Sequence, residues 1–107
     1  MEHRRADRRY DRTIDIEVIA DVATVQAKTR NISLGGVFIT AASALPFGSK
    51  VKLHFTIPTQ VEVVEIDGEV RWVENEPGGT FGMGIQFGGL RARDVWALNK
   101  FFERPAE

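Results

Sequence analysis

The sequence predicts a mainly β fold, a small six-stranded antiparallel β-barrel followed by a C-terminal α-helix. Three observations carry that prediction. Apolar residues alternate with polar ones through most of the chain, short turns rich in Pro and Gly separate the runs, and after Phe87 the apolar period changes from two to that of a helix. Short turns imply antiparallel neighbours, and closing the sheet on itself removes exposed strand edges.

The first strand begins at Ile14, where Ile14, Ile16, Val18 and Ala20 alternate with Asp15, Glu17, Ile19 and Asp21. Residues 25–32 and 37–40 supply the second and third. Residues 50–57 alternate most cleanly, with Val51, Leu53, Phe55 and Ile57 on one face and Lys50, Lys52, His54 and Thr56 on the other. In residues 64–73, Val64, Ile66, Val70 and Trp72 share a face with Gly68, and a glycine at that place predicts a bulge or a barrel bend. The last strand turns Phe81, Met83, Ile85 and Phe87 inward, with Gly82 and Gly84 on its other face. Trp72, Phe81 and Phe87 therefore read as core rather than as stacking platforms. Pro46-Phe47-Gly48, Pro58-Thr59-Gln60 and Pro77-Gly78-Gly79 preset φ or permit it to be positive, as turns require. Val95, Leu98 and Phe102 recur at helical spacing between about Arg91 and Glu103, and Pro105 stops the chain.

A chain of 107 residues suits one compact domain. It divides into a flexible Arg-rich arm, residues 1–13, and the barrel with its helix, residues 14–107. Fourteen Lys and Arg against fifteen Asp and Glu give a formal charge of −1, so there is no global pull toward nucleic acid or an anionic membrane. The absence of Cys removes disulfides, thiol nucleophiles and thiolate metal sites, and fits a reducing compartment. No apolar run is long enough to span a bilayer and the polar N-terminus does not read as a secretory signal, so a cytoplasmic location without membrane insertion is expected. His3 and His54 lack partners at metal-ligand spacing, and no nucleophile has a base beside it. Neither a cofactor nor a catalytic residue is expected.

Charge is concentrated locally instead. Arg4, Arg5, Arg8, Arg9 and Arg12 crowd the first twelve residues against Glu2, Asp7 and Asp11. A guanidinium forks two parallel hydrogen bonds to phosphate, or to the O6 and N7 edge of guanine, which an ammonium cannot do. Arg-x-x-x-Arg occurs in three registers, Arg4 with Arg8, Arg5 with Arg9 and Arg8 with Arg12, and nearness to the first strand favours the last. At the end of the second strand comes Asn31-Ile32-Ser33-Leu34-Gly35-Gly36. Asn31 and Ser33 lie two apart, so they emerge on one side and offer both donors and acceptors. Gly35 and Gly36 can adopt positive φ and, lacking Cβ atoms, admit a ligand close to the backbone. Taken singly, the arm reads as a solvated tail and the turn as an ordinary one.

Together and in this order, an Arg-x-x-x-Arg switch and an Asp-or-Asn-x-Ser-x-x-Gly turn resemble the PilZ domain family, bacterial receptors for the second messenger cyclic di-GMP. The resemblance runs nearly end to end, through Leu45-Pro46-x-Gly48, Gly68-x-Val70-x-Trp72, Gly82-Met83-Gly84-Ile85-Gln86-Phe87 and the closing helix. It implies a PilZ-like barrel that binds cyclic di-GMP through Arg8, Arg12, Asn31, Ser33 and Gly36, with Arg9 and Gly35 as further candidates. It also implies an arm that becomes ordered around the ligand and an output read by a downstream protein. The alternative within the family is a PilZ adaptor of pilus or motility machinery that binds no ligand, and the intact motifs speak against it. A barrel that binds DNA or RNA is the third reading, and strands that turn acids outward and aromatics inward do not suit it.

Two departures from the family pattern carry expectations of their own. Asp7 stands where some members have another Arg and bind a stacked pair of ligands, which favours one ligand per domain here. The helix opens with Arg91-Ala92-Arg93-Asp94, cations at the positive end of its dipole, at a cost of ~0.5 kcal/mol. Val95 and Trp96 extend its apolar surface beyond one core-facing stripe, which predicts a partner or homodimer contact there.

Overall fold

The computed structural model describes residues 8–57 and 63–103. Its strands are β1 (Tyr10–Asp11), β2 (Asp15–Ala20), β3 (Thr24–Ile32), β4 (Gly36–Ala41), β5 (Lys50–Thr56), β6 (Val63–Glu76) and β7 (Thr80–Phe87), followed by helix α1 (Ala92–Glu103). Antiparallel pairings run β3-β2-β5-β6-β7-β4, and β4 pairs back to β3, closing a six-stranded barrel. The six strands expected from the alternation are all present. β1 is an addition: it lies outside β3, with Tyr10 opposite Ile32 and Asp11 opposite Asn31.

The period-two pattern does what it predicts wherever it is uninterrupted. In β5, Val51, Leu53 and Phe55 are buried while Lys50, Lys52 and Thr56 face outward. The core fills the barrel with Ile16, Val18, Ile32, Ile39, Leu53, Val70, Met83 and Ile85, and α1 adds Ala97, Leu98, Phe101 and Phe102. Gly48 at φ 89° turns the chain after Pro46, and Gly78 and Gly79 at φ 87° and 83° make the turn between β6 and β7. The expected turn at Pro58-Thr59-Gln60 lies outside the described residues.

Two β-bulges break the pattern, and both insert an arginine. On β3 the register shifts between Thr29 and Asn31, leaving Arg30 as the extra residue. On β6 it shifts between Val70 and Trp72, leaving Arg71 as the extra residue. Each bulge reverses which parity faces inward, because a one-residue slip moves every later side chain to the other face. Trp72 is consequently 56% exposed and is not core, contrary to the sequence expectation. Phe87 is buried as expected, and Phe81 is half-buried against the barrel. Gly68 marks a bend rather than a bulge: it pairs with both Val51 and Phe87, where β6 passes from β5 to β7.

The residues before β2 are tied to the barrel by one buried hydroxyl. Thr29 Oγ1 donates to the Arg12 carbonyl at 2.6 Å and accepts from the Ile14 amide at 2.9 Å. At the other end of the chain Asp94 settles the helix opening. Its carboxylate accepts from the Arg91 amide at 3.1 Å and pairs with the Arg91 guanidinium at 3.0 Å, so one of the two cations there is neutralised.

Candidate functional site

The β3–β4 hairpin turns at Ser33-Leu34-Gly35, and the Ser33 side chain organises it. Ser33 Oγ accepts from the amides of Gly35 at 3.0 Å and Gly36 at 3.2 Å, while the Ser33 amide donates to the Gly36 carbonyl at 2.8 Å. Gly36 has ordinary negative φ; its missing side chain matters because a Cβ would collide with the Ile85 carbonyl on β7. Gly36 is therefore required by the packing of β4 on β7, before any ligand is considered.

Arg9 closes over this turn. Its Nε donates to Asn31 Oδ1 at 2.5 Å and its Nη1 to Ser33 Oγ at 3.4 Å, so Asn31 and Ser33 do converge on one space, as their spacing predicts. A cleft of about 410 Å³ opens there, lined by Arg9, Ser33, Gly36, Arg71, Trp72 and Gln86 among others. Pairing registers lay an outward row beside it that shares Gly84 and Trp72 with the cleft. Asn31 lies opposite Phe38, Phe38 opposite Gly84 and Gly84 opposite Trp72, one outward-facing row across four strands. With strands ~4.8 Å apart, the row spans about 14 Å. Gly84 leaves its middle bare, since a Cβ there would sit 3.1 Å from Trp72 Cβ and 3.6 Å from the Phe38 ring. Arg71 is held upright by Gln86 at 2.9 Å, and the Trp72 indole nitrogen donates to Glu74 at 3.2 Å.

Arg8 and Arg12 stand apart from the turn. The Arg8 guanidinium lies 5.0 Å from the Tyr10 ring centroid. Arg12 donates from Nη2 to the Phe102 carbonyl at 3.1 Å and stacks near Tyr10 and Phe101, at 5.6 and 5.7 Å. Of the residues singled out from sequence, Arg9, Ser33, Gly35 and Gly36 therefore line the cleft and Asn31 holds Arg9 beside it, while Arg8 and Arg12 flank the arm and the helix end. Arg4 and Arg5 lie outside the described residues. Arg71, Trp72 and Gln86 were not singled out as site residues. Only the bulge at Arg71 brings Trp72 to this face, and alternation cannot reveal a bulge.

A larger concavity of about 730 Å³ lies over Ile19, Val51, Gly68 and Phe87, but its cations are already paired. Lys50 meets Glu69 at 3.5 Å and Lys52 meets Asp67 at 3.4 Å, which leaves it poorly suited to an anion. Along the same outer face, hydrogen bonds from His54 and Lys52 hold the Glu65 carboxyl below its usual range. Glu65 and Asp67 in turn raise Lys52. Burial pushes Asp94 up, yet the hydrogen bonds and charge of Arg91 with the charge of Arg93 outweigh it and hold the carboxyl below its ordinary value. Among the described residues no three His, Cys, Asp or Glu are grouped to hold a metal ion, and no helix is long and apolar enough to cross a membrane.

Six antiparallel strands closed into a barrel, with an Arg-bearing arm laid over an Asn-x-Ser-x-x-Gly turn and a helix after the last strand, define a small β-barrel domain. The sequence matches the PilZ domain over residues 2–104, and the chain belongs to the PilZ domain family. Solved structures share its fold. The Bacillus subtilis inhibitor of motility MotI/DgrA superposes with a TM-score of 0.77 at 23% identity; the match covers 95% of this chain, which spans only 50% of that protein. The PilZ domain of Escherichia coli YcgR, solved with cyclic di-GMP, gives 0.74 at 14% identity over 94% of this chain and 89% of that one. The PilZ domain of CeSA from a cellulose-synthesizing bacterium gives 0.65 at 14% over 89% and 94%. A comparison with curated proteins returned no match.

Proposed function

We propose that the protein is a cyclic di-GMP receptor that folds its N-terminal Arg arm around the ligand and signals through a protein partner. The observation that carries this reading is the convergence of Asn31 and Ser33 on Arg9 at the side of a cleft edged by Arg71 and exposed Trp72. The ligand presents two phosphates and two guanines. Guanidinium groups match both, by forked hydrogen bonds and by stacking, and an exposed indole offers a plane for a base. In this reading Arg8 and Arg12 leave the Tyr10 ring and the Phe102 carbonyl to take the phosphates. Asn31, Ser33 and the Gly35-Gly36 backbone hold the ligand edge, and Trp72 stacks a base.

Because a ligand shifts a conformational balance only through differential affinity, movement of Arg12 away from the end of α1 is the step that transmits binding. The YcgR neighbour is solved with this ligand, and the MotI/DgrA neighbour is named for inhibition of motility; a motility partner is the output we assign. Isothermal titration with cyclic di-GMP, using wild type and the Arg8→Ala, Arg12→Ala and Ser33→Ala variants, tests the reading, with GTP and cyclic di-AMP as controls. Selective binding near one ligand per chain, lost in the Arg variants, is expected. No binding by folded wild type would overturn it in favour of an adaptor that needs no ligand.

A further inference from the structure

The first half of α1 leaves an amphipathic face uncovered. Trp96 is 58% exposed and Val63 61% exposed. The two line a narrow cleft of about 190 Å³ together with Ala97, Arg91, Arg93 and Asp94, the last paired with Arg91. Arg93, Trp96 and Lys100 are spaced three and four apart, so they form one stripe along the helix. Their charges are not equally engaged. Arg91 is held by buried Asp94 and reaches the Glu65 carbonyl at 3.3 Å. Arg93 forms no hydrogen bond or ion pair among the described residues. Lys100 lies 5.9 Å from the Trp96 ring centroid, and its only ion pair among the described residues is an exposed one with Glu103 at 3.6 Å, of a kind that contributes little.

We propose that this surface docks an acidic segment of a partner protein, with an apolar side chain seated against Trp96 and Val63 and carboxylates meeting Arg93 and Lys100. A large exposed Trp between cations has the composition of an interface anchor with a charged rim. Charge decides between occupants. Two copies paired about a two-fold axis at Trp96 would set cation against cation, Arg93 near Lys100 of the other copy if the helices run antiparallel and each near its own counterpart if they run parallel. Like charges so placed oppose the pairing. An anionic membrane is also a poor match, because this helix face offers only Arg93 and Lys100, with Arg91 already held by Asp94, and a lipid-binding cluster needs more cations than that. The inference does not depend on what the Arg9 cleft holds.

The test uses the whole chain in a Trp72→Phe background, so that tryptophan emission reports Trp96. The probes are nine-residue peptides with Leu, Phe or Trp at the centre flanked by Glu, and matched sets flanked by Gln or Lys; with Trp-centred peptides, amide chemical shifts of α1 provide the readout. Saturable binding of Glu-flanked peptides with a blue shift is expected, about fivefold weaker with Gln. Arg93→Glu should abolish the preference for Glu over Gln, and Trp96→Ala, read by the amide chemical shifts of α1, should remove binding while far-ultraviolet dichroism shows the fold intact. Four results would overturn the proposal: equal affinity for Glu and Gln sets, no binding by any peptide, a preference for phosphatidylglycerol vesicles, or a doubled light-scattering mass that Trp96→Ala returns to one chain.

Discussion

Tyr10 and Phe102 lie face to face, their ring centroids 4.2 Å apart and their planes 8° from parallel. They stand at opposite ends of the described chain, yet this stack and the hydrogen bond from Arg12 to the Phe102 carbonyl clamp the arm to the last turn of α1. Arg8, Arg9 and Arg12 are thus carried on a short segment whose two sides face different things. Arg9 grips the Asn31–Ser33 turn, and Tyr10 with Arg12 grips the helix. Anything that recruits Arg12 to the turn must loosen the helix end.

Removing the stack should show that coupling directly. Tyr10→Ala loses an aromatic pair and part of the cover over Phe102, so a destabilisation of about 2 kcal/mol is expected from urea unfolding. Amide exchange at Phe101 to Glu103 should rise more than at β5. On adding cyclic di-GMP to wild type, the same amides should change protection. Unaltered exchange in both experiments would show that arm and helix are independent.

Gly36→Ala should fail as a binding probe for a structural reason. The new methyl meets the Ile85 carbonyl, a backbone atom of the β4–β7 ladder that cannot rotate away, so strands must separate. A loss of about 2–4 kcal/mol in stability is expected, detectable as a lowered melting temperature with no ligand present. Ser33→Ala removes the acceptor for two amides and should cost about 1–2 kcal/mol. Its effect on affinity is interpretable only after that stability change has been measured.

The barrel was legible because four of its six strands bury one face with no bulge, and β5 could be read residue by residue. The site was legible only in part. Asn31, Ser33 and Gly36 announce a turn by chemistry that acts locally, so their meeting with Arg9 follows from hairpin geometry. The half of the cleft made by Arg71 and Trp72 depends on a bulge that alternation masks: Val70 and Trp72 keep the period of an unbroken strand while facing opposite ways. The short pairing of β1 with β3 was hidden for another reason. Two residues, Tyr10 and Asp11, are too few to show a period, and what places them is Phe102 at the far end of the chain.

Trp72 separates stability from binding. It is exposed, so Trp72→Ala should change unfolding free energy by no more than about 0.5 kcal/mol. If its indole stacks a guanine, affinity for cyclic di-GMP should fall about tenfold in that variant. In a Trp96→Phe background, ligand should quench the remaining emission of wild-type Trp72. Full affinity in Trp72→Ala would remove the indole from the site and leave Arg9 and Arg71 as its walls.

Asp94 sets a pH dependence whose sign follows from its position. Its carboxyl is held below the ordinary value in the folded chain, chiefly by Arg91 once the opposing effect of burial is overcome. The ionised form is therefore favoured by folding. The stabilisation is complete above the unfolded-chain value, near pH ~4, and is lost as pH falls through the lower folded value. Glu65, lowered by His54 and Lys52, acts in the same direction from an exposed position. Urea midpoints should hold steady from pH 7 to pH 5 and drop below pH 4. Asp94→Asn should be less stable at pH 7 by about 1 kcal/mol, through weakened capping and pairing with Arg91, and its midpoint should fall less steeply in acid. Molar salt separates the two groups. It screens the exposed Glu65 contacts but leaves most of the Asp94 effect, since that carboxylate is buried beside its partner. An acid profile that Asp94→Asn leaves unchanged would assign the transition to the outer-face carboxylates instead.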